Sequence, residues 1–265
     1  GEAVRFSQAN GALSKKERDE RVDGFIDTDP TKISWTRALK QDLAKNRRFS
    51  FDPSCLRQGL YRPFTKQWLY FNRKFNEMVY QMPRIFPEAA TENRVICVSA
   101  PGFISGFTVL AMDLPPELCV AAMKGGTQCF PLYLYDEPDA AGKDIPTQAG
   151  LFAAGTGASF SRKRRDGITD EGLAHFLAAF PSSAISKEDV FYYVYGLLHS
   201  PEYRERYADN LGKELPRIPC VKSATDFWTF SRAGRALSDL HLTYESVPMY
   251  AGATIEYGGK PLTDV

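Results

Sequence analysis

Apolar and polar positions follow three successive rhythms along this chain, and each change of rhythm predicts a change of structure. The first stretch is helical. Ser14 followed by Glu17 is a capping-box pattern, which satisfies two free amides at a helix start and predicts a short charged helix towards Gly24. Asp29-Pro30 predicts the opening of a second helix, with Trp35, Leu39 and Leu43 at fourfold spacing as its apolar stripe. Residues 49–85 then alternate aromatic and polar types around Phe49, Phe51, Tyr61, Phe64, Trp68, Tyr70 and Phe71. That is the period of short strands, with turns at Pro53 and Pro63.

From Arg94 the apolar residues gather into strand-length runs, Val95-Ile96-Cys97-Val98, Phe107-Thr108-Val109-Leu110 and Phe130-Pro131-Leu132-Tyr133-Leu134-Tyr135, separated by Pro and Gly turns. This predicts a compact β core. Residues 136–167 predict a long exposed loop. The last third returns to helical spacing. Thr169 caps a helix to about Phe180, and Ser186 with Asp189 forms a capping box for the next. Ser200 and Pro201 begin a third, with Tyr203, Tyr207 and Leu211 on one side and Gly212 past its end; a fourth runs roughly from Thr225 to His241. The expected fold class is α+β: a twisted, mostly antiparallel β core, a helical C-terminal part over 168–245 and short N-terminal helices. Residues 1–34 read as a helical linker or coupler, and 35–265 as one domain, β-rich over 49–135.

Composition narrows the class. Hydrophobic residues make up 43% and charged residues 25%, which excludes wholesale disorder, collagen and coiled coil. The longest apolar stretch, residues 103–112, is interrupted by polar residues and far short of the roughly 18 a membrane span needs, so no membrane partner is expected. No secretory signal opens the chain, and the absent initiator Met suggests a processed chain or an excised fragment. Cys55, Cys97, Cys119, Cys129 and Cys220 are odd in number, widely spaced and without C-x-x-C, so they read as reduced thiols of a cytoplasmic protein and no metal is expected.

Charge changes the picture more. Between Trp35 and Ile85 stand eleven basic residues against three acids, a local excess of eight in a chain of net charge +1. Interleaved with aromatics and with Gln58, Gln67, Asn72 and Asn76, this segment suits a nucleic-acid surface, although such runs are also ordinary solvated faces. Arg162-Lys163-Arg164-Arg165 is a second candidate clamp. No catalytic centre emerges. Gly155-Thr156-Gly157 is too short for a dinucleotide fingerprint, there is no G-x-x-x-x-G-K-[ST] phosphate cradle, and Leu114-Pro115-Pro116-Glu117 lacks the polar and aromatic ends of an amino-methyltransferase motif. The carboxylate pairs Asp136/Glu137 and Asp166/Asp170 lack a third metal ligand. A fold-assembled enzyme site around His199 or Cys129, and a protein-interaction module, stay open as alternatives.

Five separate strings carry a resemblance. They are Tyr61-Arg62-Pro63-Phe64 with Leu69-Tyr70 and Met82-Pro83-Arg84; Gln128-Cys129-Phe130-Pro131-Leu132-Tyr133; Leu197-Leu198-His199-Ser200-Pro201-Glu202-Tyr203-Arg204; Leu215-Pro216-Arg217-Ile218-Pro219; and Leu240-His241-Leu242-Thr243-Tyr244-Glu245. Together, over roughly 35–247, the chain resembles the C-terminal specificity domain, or target recognition domain, of the type ISP single-chain restriction-modification enzymes, often labelled predicted helicases. The resemblance implies a non-enzymatic segment that reads duplex DNA. Its partner would be the N6-adenine methyltransferase domain of the same polypeptide, which also carries a nuclease and a translocase. It implies no cofactor in this segment, with S-adenosylmethionine, ATP and Mg used elsewhere in the parent chain. On that reading, phosphate contacts are expected from Arg47, Arg48, Lys66, Arg73, Lys74, Arg162, Lys163, Arg164 and Arg165, and base contacts from Arg57, Gln58, Gln67, Asn72 and Gln128. Arg62, inside a family motif, reads equally as structural.

Overall fold

Side-chain caps decide where most of the helices begin. The computed structural model describes residues 2–29, 32, 35–104, 106–122, 125–136, 162–248, 250–252, 256–257 and 260–261. Contacts divide the chain into two compact units: Gly1–Gln58, Trp68–Pro83 and Pro87–Thr91 form the first; Gly59–Gln67, Arg84–Phe86 and Glu92–Val265 form the second.

The first unit opens with α1 (Glu2–Asn10), inside the 1–34 segment read as helical although no start signal marked it, and α2 (Lys15–Phe25), whose Ser14–Glu17 capping box forms as expected. The next helix, α3 (Arg37–Ala44), does not open at Asp29-Pro30. Thr36 caps it instead, its hydroxyl accepting the Leu39 amide at 3.3 Å, while Pro30 lies outside the described residues. Leu39 and Leu43 are buried as the stripe requires, and Phe6, Val22, Ile26, Leu43 and Ala44 make a small core with Phe25 and Trp35 against it. Strands β1 (Leu56–Arg62) and β2 (Thr65–Tyr70) form a hairpin whose Gly59–Gln67 part belongs to the second unit. Its Pro63-Phe64 connection turns because Phe64 adopts φ 57°, the left-handed region. The remaining aromatic alternation in 49–85 is not strand: residues 49–52 are irregular and 71–81 are mostly turns, their rings clustering on Tyr70, followed by a single helical turn, α4 (Met82–Ile85).

The second unit is built on a three-stranded antiparallel sheet, β3 (Val95–Ser99), β4 (Val109–Met112) and β5 (Thr127–Pro131), in the order β4-β3-β5. Every residue of β3 is buried, as a central strand covered on both faces requires. Pro131 is tolerated on the edge strand because it faces Val95 in a pair that exchanges no amide bonds. The bonded positions are set by Leu132 N–H to Arg94 O (2.7 Å) at one end and Ala100 N–H to Gly126 O (3.1 Å) at the other. Strands β6 (Tyr133–Tyr135) and β7 (Arg164–Asp166) pair antiparallel, so the end of the expected 136–167 loop is a strand. Residues 137–161, with Glu137 and the Gly155-Thr156-Gly157 string, lie outside the described residues.

The C-terminal helices are α5 (Asp170–Ala179), α6 (Lys187–His199), α7 (Pro201–Arg206), α8 (Ala208–Leu211) and α9 (Ala224–Leu242), and a short pairing of β8 (Glu256–Tyr257) with β9 (Lys260–Pro261) follows. Thr169, Ser186, Ser200 and Ser223 cap α5, α6, α7 and α9. The third predicted helix breaks at Tyr207 into α7 and α8: Tyr207, at φ −110° and ψ 18°, leaves the helical region, and its ring lies tilted against Tyr203 at 4.9 Å. The α+β class stands as predicted. No described helix is long and apolar enough to cross a membrane.

Helix α6 is buried almost all round, which places it at the centre of the core with Ile96, Val98, Val109 and Ala111 of the sheet and Phe227 of α9. Its approach to α9 rests on small residues. A Cβ at Gly234 would lie 2.0 Å from the Tyr192 carbonyl oxygen, and one at Gly196 would lie 2.3 Å from that of Phe230. Alanine is the better helix former by about 1 kcal/mol, yet both neighbours are backbone and cannot step aside. Gly234→Ala is therefore expected to destabilise the chain by about 2 kcal/mol, seen as a lowered urea midpoint with little change in slope.

Candidate nucleic-acid interface

Four predicted phosphate ligands in the first unit sit on two segments clasped by aromatic rings. Phe49 meets Phe75 edge-on at 5.6 Å, Tyr70 meets Phe75 at 5.4 Å, and Phe51 stacks on Tyr70 at 5.5 Å. The Tyr70 hydroxyl also accepts the Asp52 amide at 3.1 Å. Asn72 shapes the turn that follows: its side-chain oxygen accepts the Lys74 amide at 2.9 Å, and its own amide donates to Asn76 Oδ1 at 2.9 Å. Arg47-Arg48 thus lead directly into one segment of the clasp and Arg73-Lys74 lie in the other, all four exposed. Arg47 is held by Asp42 at 2.9 Å. The exposed cations Arg37, Lys45, Arg48 and Lys74, all in this unit, make no ion pair among the described residues.

The local excess of eight positive charges does not survive folding intact, because acids remote in sequence arrive beside it. Lys40 pairs with Asp23 (2.7 Å), Arg62 with Glu117 (2.9 Å), Lys66 with Glu245 (2.6 Å) and Arg84 with Asp136 (3.4 Å). Lys66, a predicted phosphate ligand, is also 5.3 Å from the centre of the Tyr244 ring, and its hydrogen bond to Glu245 raises its pKa above the ordinary lysine value. The basic run at 162–165 is split by strand geometry. Arg164 lies over the Tyr133 ring at 4.2 Å, whereas Arg165 binds Asp136 through Nη2 at 2.6 Å and Nε at 2.9 Å, so adjacent side chains serve opposite faces. Lys163 is exposed and Arg162 half-buried. The Arg165 hydrogen bond in turn holds Asp136 below the usual carboxylate range. Asp166 and Asp170 share Lys187 at 3.2 and 2.6 Å, and no group of three or more metal-ligating side chains occurs among the described residues.

Among the predicted base readers, Gln58 on β1, Gln67 on β2 and Gln128 on β5 are exposed. Arg57 and Asn72 make contacts within the fold. Arg57 is 8% exposed with its guanidinium 4.8 Å from the Phe71 ring centre, and burial lowers its pKa; Asn72 spends its side chain on the turn. The sequence reading passed over Trp68 as a possible contact. It stands 75% exposed beside Gln67, where two consecutive outward residues break the strand alternation.

Four of the five strings contribute residues that meet inside the second unit. Phe64, from the hairpin turn, packs edge-on against His241 (5.7 Å) and Tyr244 (5.1 Å) of a string some 180 residues away. The Tyr195 hydroxyl accepts the Ala111 amide at 2.9 Å and shares a close hydrogen bond with His241 Nδ1. The Tyr203 hydroxyl donates to the Arg217 carbonyl (2.7 Å), tying the 197–204 string to the 215–219 string, and that of Tyr193 on α6 donates to the Pro219 carbonyl (2.6 Å). Arg204 Nη2 donates to His199 Nδ1 at 3.4 Å. The cavity beside His241, lined by Leu60, Phe64, Lys66 and Tyr244 among others, is about 10 Å³, room for no more than a water molecule.

Motifs that cement a scaffold, with cations and amides left on its surface, define a recognition domain. The chain belongs to the Type ISP C-terminal specificity domain family, whose family model matches residues 5–263; that family is one of recognition, not catalysis. Three solved structures are similar to it. The DrdV–DNA complex seen by cryo-electron microscopy is 33% identical with a TM-score of 0.72, over 94% of this chain and 21% of that one. A nuclease-deletion mutant of the Type ISP restriction-modification enzyme LlaGI, in complex with a DNA substrate mimic, is 32% identical with a TM-score of 0.66, over 95% and 16%. The ATP-dependent Type ISP restriction-modification enzyme LlaBIII, bound to DNA, is 30% identical with a TM-score of 0.67, over 89% and 14%. The present chain thus spans about a fifth or less of each of these proteins. No curated protein sequence matches it.

Burial, with Arg204 and His241 nearby, lowers the pKa of His199 from 6.5 to about 4. The unfolded chain then binds a proton between pH 6.5 and 4 that the folded chain refuses, so the stability gained from the neutral ring is complete above pH 6.5 and lost as pH falls towards 4. The unfolding free energy is expected to drop by up to about 3 kcal/mol across that window, with burial of His241 acting in the same direction. Urea titrations at a series of pH values read this directly, and His199→Gln should flatten the curve.

Proposed function

We propose that this chain reads sequence in duplex DNA on behalf of a longer restriction-modification polypeptide. The observation that carries the reading is the aromatic clasp of the first unit, which brings the Arg47-Arg48 and Arg73-Lys74 segments together and keeps them exposed. Cations on a rigid ring cluster suit phosphates, which fix register without carrying sequence information. Gln58, Gln67 and Gln128 supply amides with both a donor and an acceptor, the pairing that adenine presents in the major groove. Lys163 is a further phosphate ligand in this reading, while Lys66, Arg164 and Arg165 are given to the scaffold.

Support comes from the likeness to three DNA-bound proteins whose chains are more than four times as long. In the parent polypeptide, an N6-adenine methyltransferase using S-adenosylmethionine would receive its target base in the register set here, and ATP with Mg would drive the translocase. Residues 1–34 would couple this domain to the methyltransferase, with 35–265 forming the reader, and the whole would work in the cytoplasm.

The test is a titration with duplexes selected by the chain from a random pool, against scrambled ones, at 50 and 200 mM salt. Arg48→Ala and Lys74→Ala should each weaken both duplexes and reduce the slope of log K on log salt by about 0.9. Gln128→Ala should weaken the selected duplex alone, by roughly 1–3 kcal/mol. Affinity for either duplex untouched by both cation substitutions would overturn the proposal.

A further inference from the structure

We propose that Cys97 and Cys129 are an oxidative modification site, at which hydrogen peroxide converts two thiols into a disulfide stapling the central strand β3 to the edge strand β5. The ladder register prepares it. The two cysteines are Cα partners across the antiparallel pair. Arg94–Leu132 and Ala100–Gly126 are amide-bonded positions, and bonded pairs alternate with unbonded ones, so Cys97 and Cys129 form an unbonded pair. Such pairs hold their Cα atoms about 4.5 Å apart, inside the roughly 4.4–6.8 Å range that a disulfide spans. The two sulfurs already lie 3.3 Å apart, so a small side-chain rotation suffices and neither strand has to move. A structural zinc ion would need about four ligands, and the described residues offer these two thiols no further ones.

Unequal exposure orders the chemistry. Cys97 is buried, and burial together with the Cys129 hydrogen bond raises its pKa well above the ordinary thiol value, whereas Cys129 is partly open. The Cys129 sulfur attacks one peroxide oxygen, the O–O bond breaks, and a sulfenic acid and one water result. The Cys97 sulfur then attacks the oxidised sulfur. The S–S bond forms, the S–O bond breaks, and the thiol proton leaves with the oxygen as a second water. Two electrons pass from the thiols to the peroxide, and proximity offsets the low nucleophilicity of a buried thiol. Gln128, adjacent to Cys129, rides on the strand that becomes fixed.

The experiment uses the full chain with Cys55→Ser, Cys119→Ser and Cys220→Ser, leaving only this pair. After peroxide treatment and denaturation, alkylation and mass spectrometry are expected to find both thiols blocked without reductant and both labelled after it, on a monomeric chain. The midpoint of thermal unfolding should rise by a few degrees. In parallel, wild-type chain digested with chymotrypsin under non-reducing conditions should yield a Cys97–Cys129-linked peptide, which serves even where the triple variant fails to fold. Free labelling of both thiols after oxidation, Cys129 carried on to sulfinic acid beside reduced Cys97, or an absent linked peptide would each overturn the assignment.

Discussion

The hydroxyl of Tyr195 sits where the sheet, α6 and α9 converge. It accepts an amide from Ala111 on β4 and bonds His241 near the end of α9, deep enough that its pKa is driven upward by burial. Phe64 at the hairpin turn packs on that same His241, so the tip of β1–β2 is placed by a contact that begins in the core. A buried polar group of this kind specifies geometry strongly, because each partner would be left unsatisfied in any other arrangement. The glycine-lined crossing of α6 and α9 serves the same end, since it brings α9 close enough for the hydroxyl to reach.

Electrostatics is organised differently from what the linear charge suggests. Acids from Asp23, Glu117, Asp136 and Glu245 fold back onto cations of the 35–85 region, and the exposed pairs among them contribute little stability in water. Their effect is to sort the cations. Those committed to acids or rings frame the hairpin and the β6–β7 ribbon, while Arg37, Lys45, Arg48 and Lys74 keep their charge available in the first unit.

Local rules were well legible in the sequence. Ser14, Thr169, Ser186 and Ser200 cap helices where their spacing says they should, because a cap depends on three or four neighbouring residues. Two local signals were still misread: Thr36 rather than Asp29 starts α3, and the 201–211 helix breaks at Tyr207. What depends on distant partners was not legible: aromatic alternation around residues 49–52 and 71–75 builds a ring cluster instead of strands. The site divides along the same line. Exposure of Gln58 and Gln128 follows from strand parity, whereas the exposed Gln67–Trp68 pair, the burial of Arg57 on Phe71 and the capture of Lys66 by Glu245 need the fold.

The strings that mark this family spend their side chains on one another: Phe64 on His241 and Tyr244, Tyr203 on Arg217, Arg204 on His199. The exposed amide of Gln128, although inside such a string, is absent from all of those contacts. Drift at that surface is therefore uncoupled from the folding threshold, so single outward substitutions there leave the interior contacts as they are.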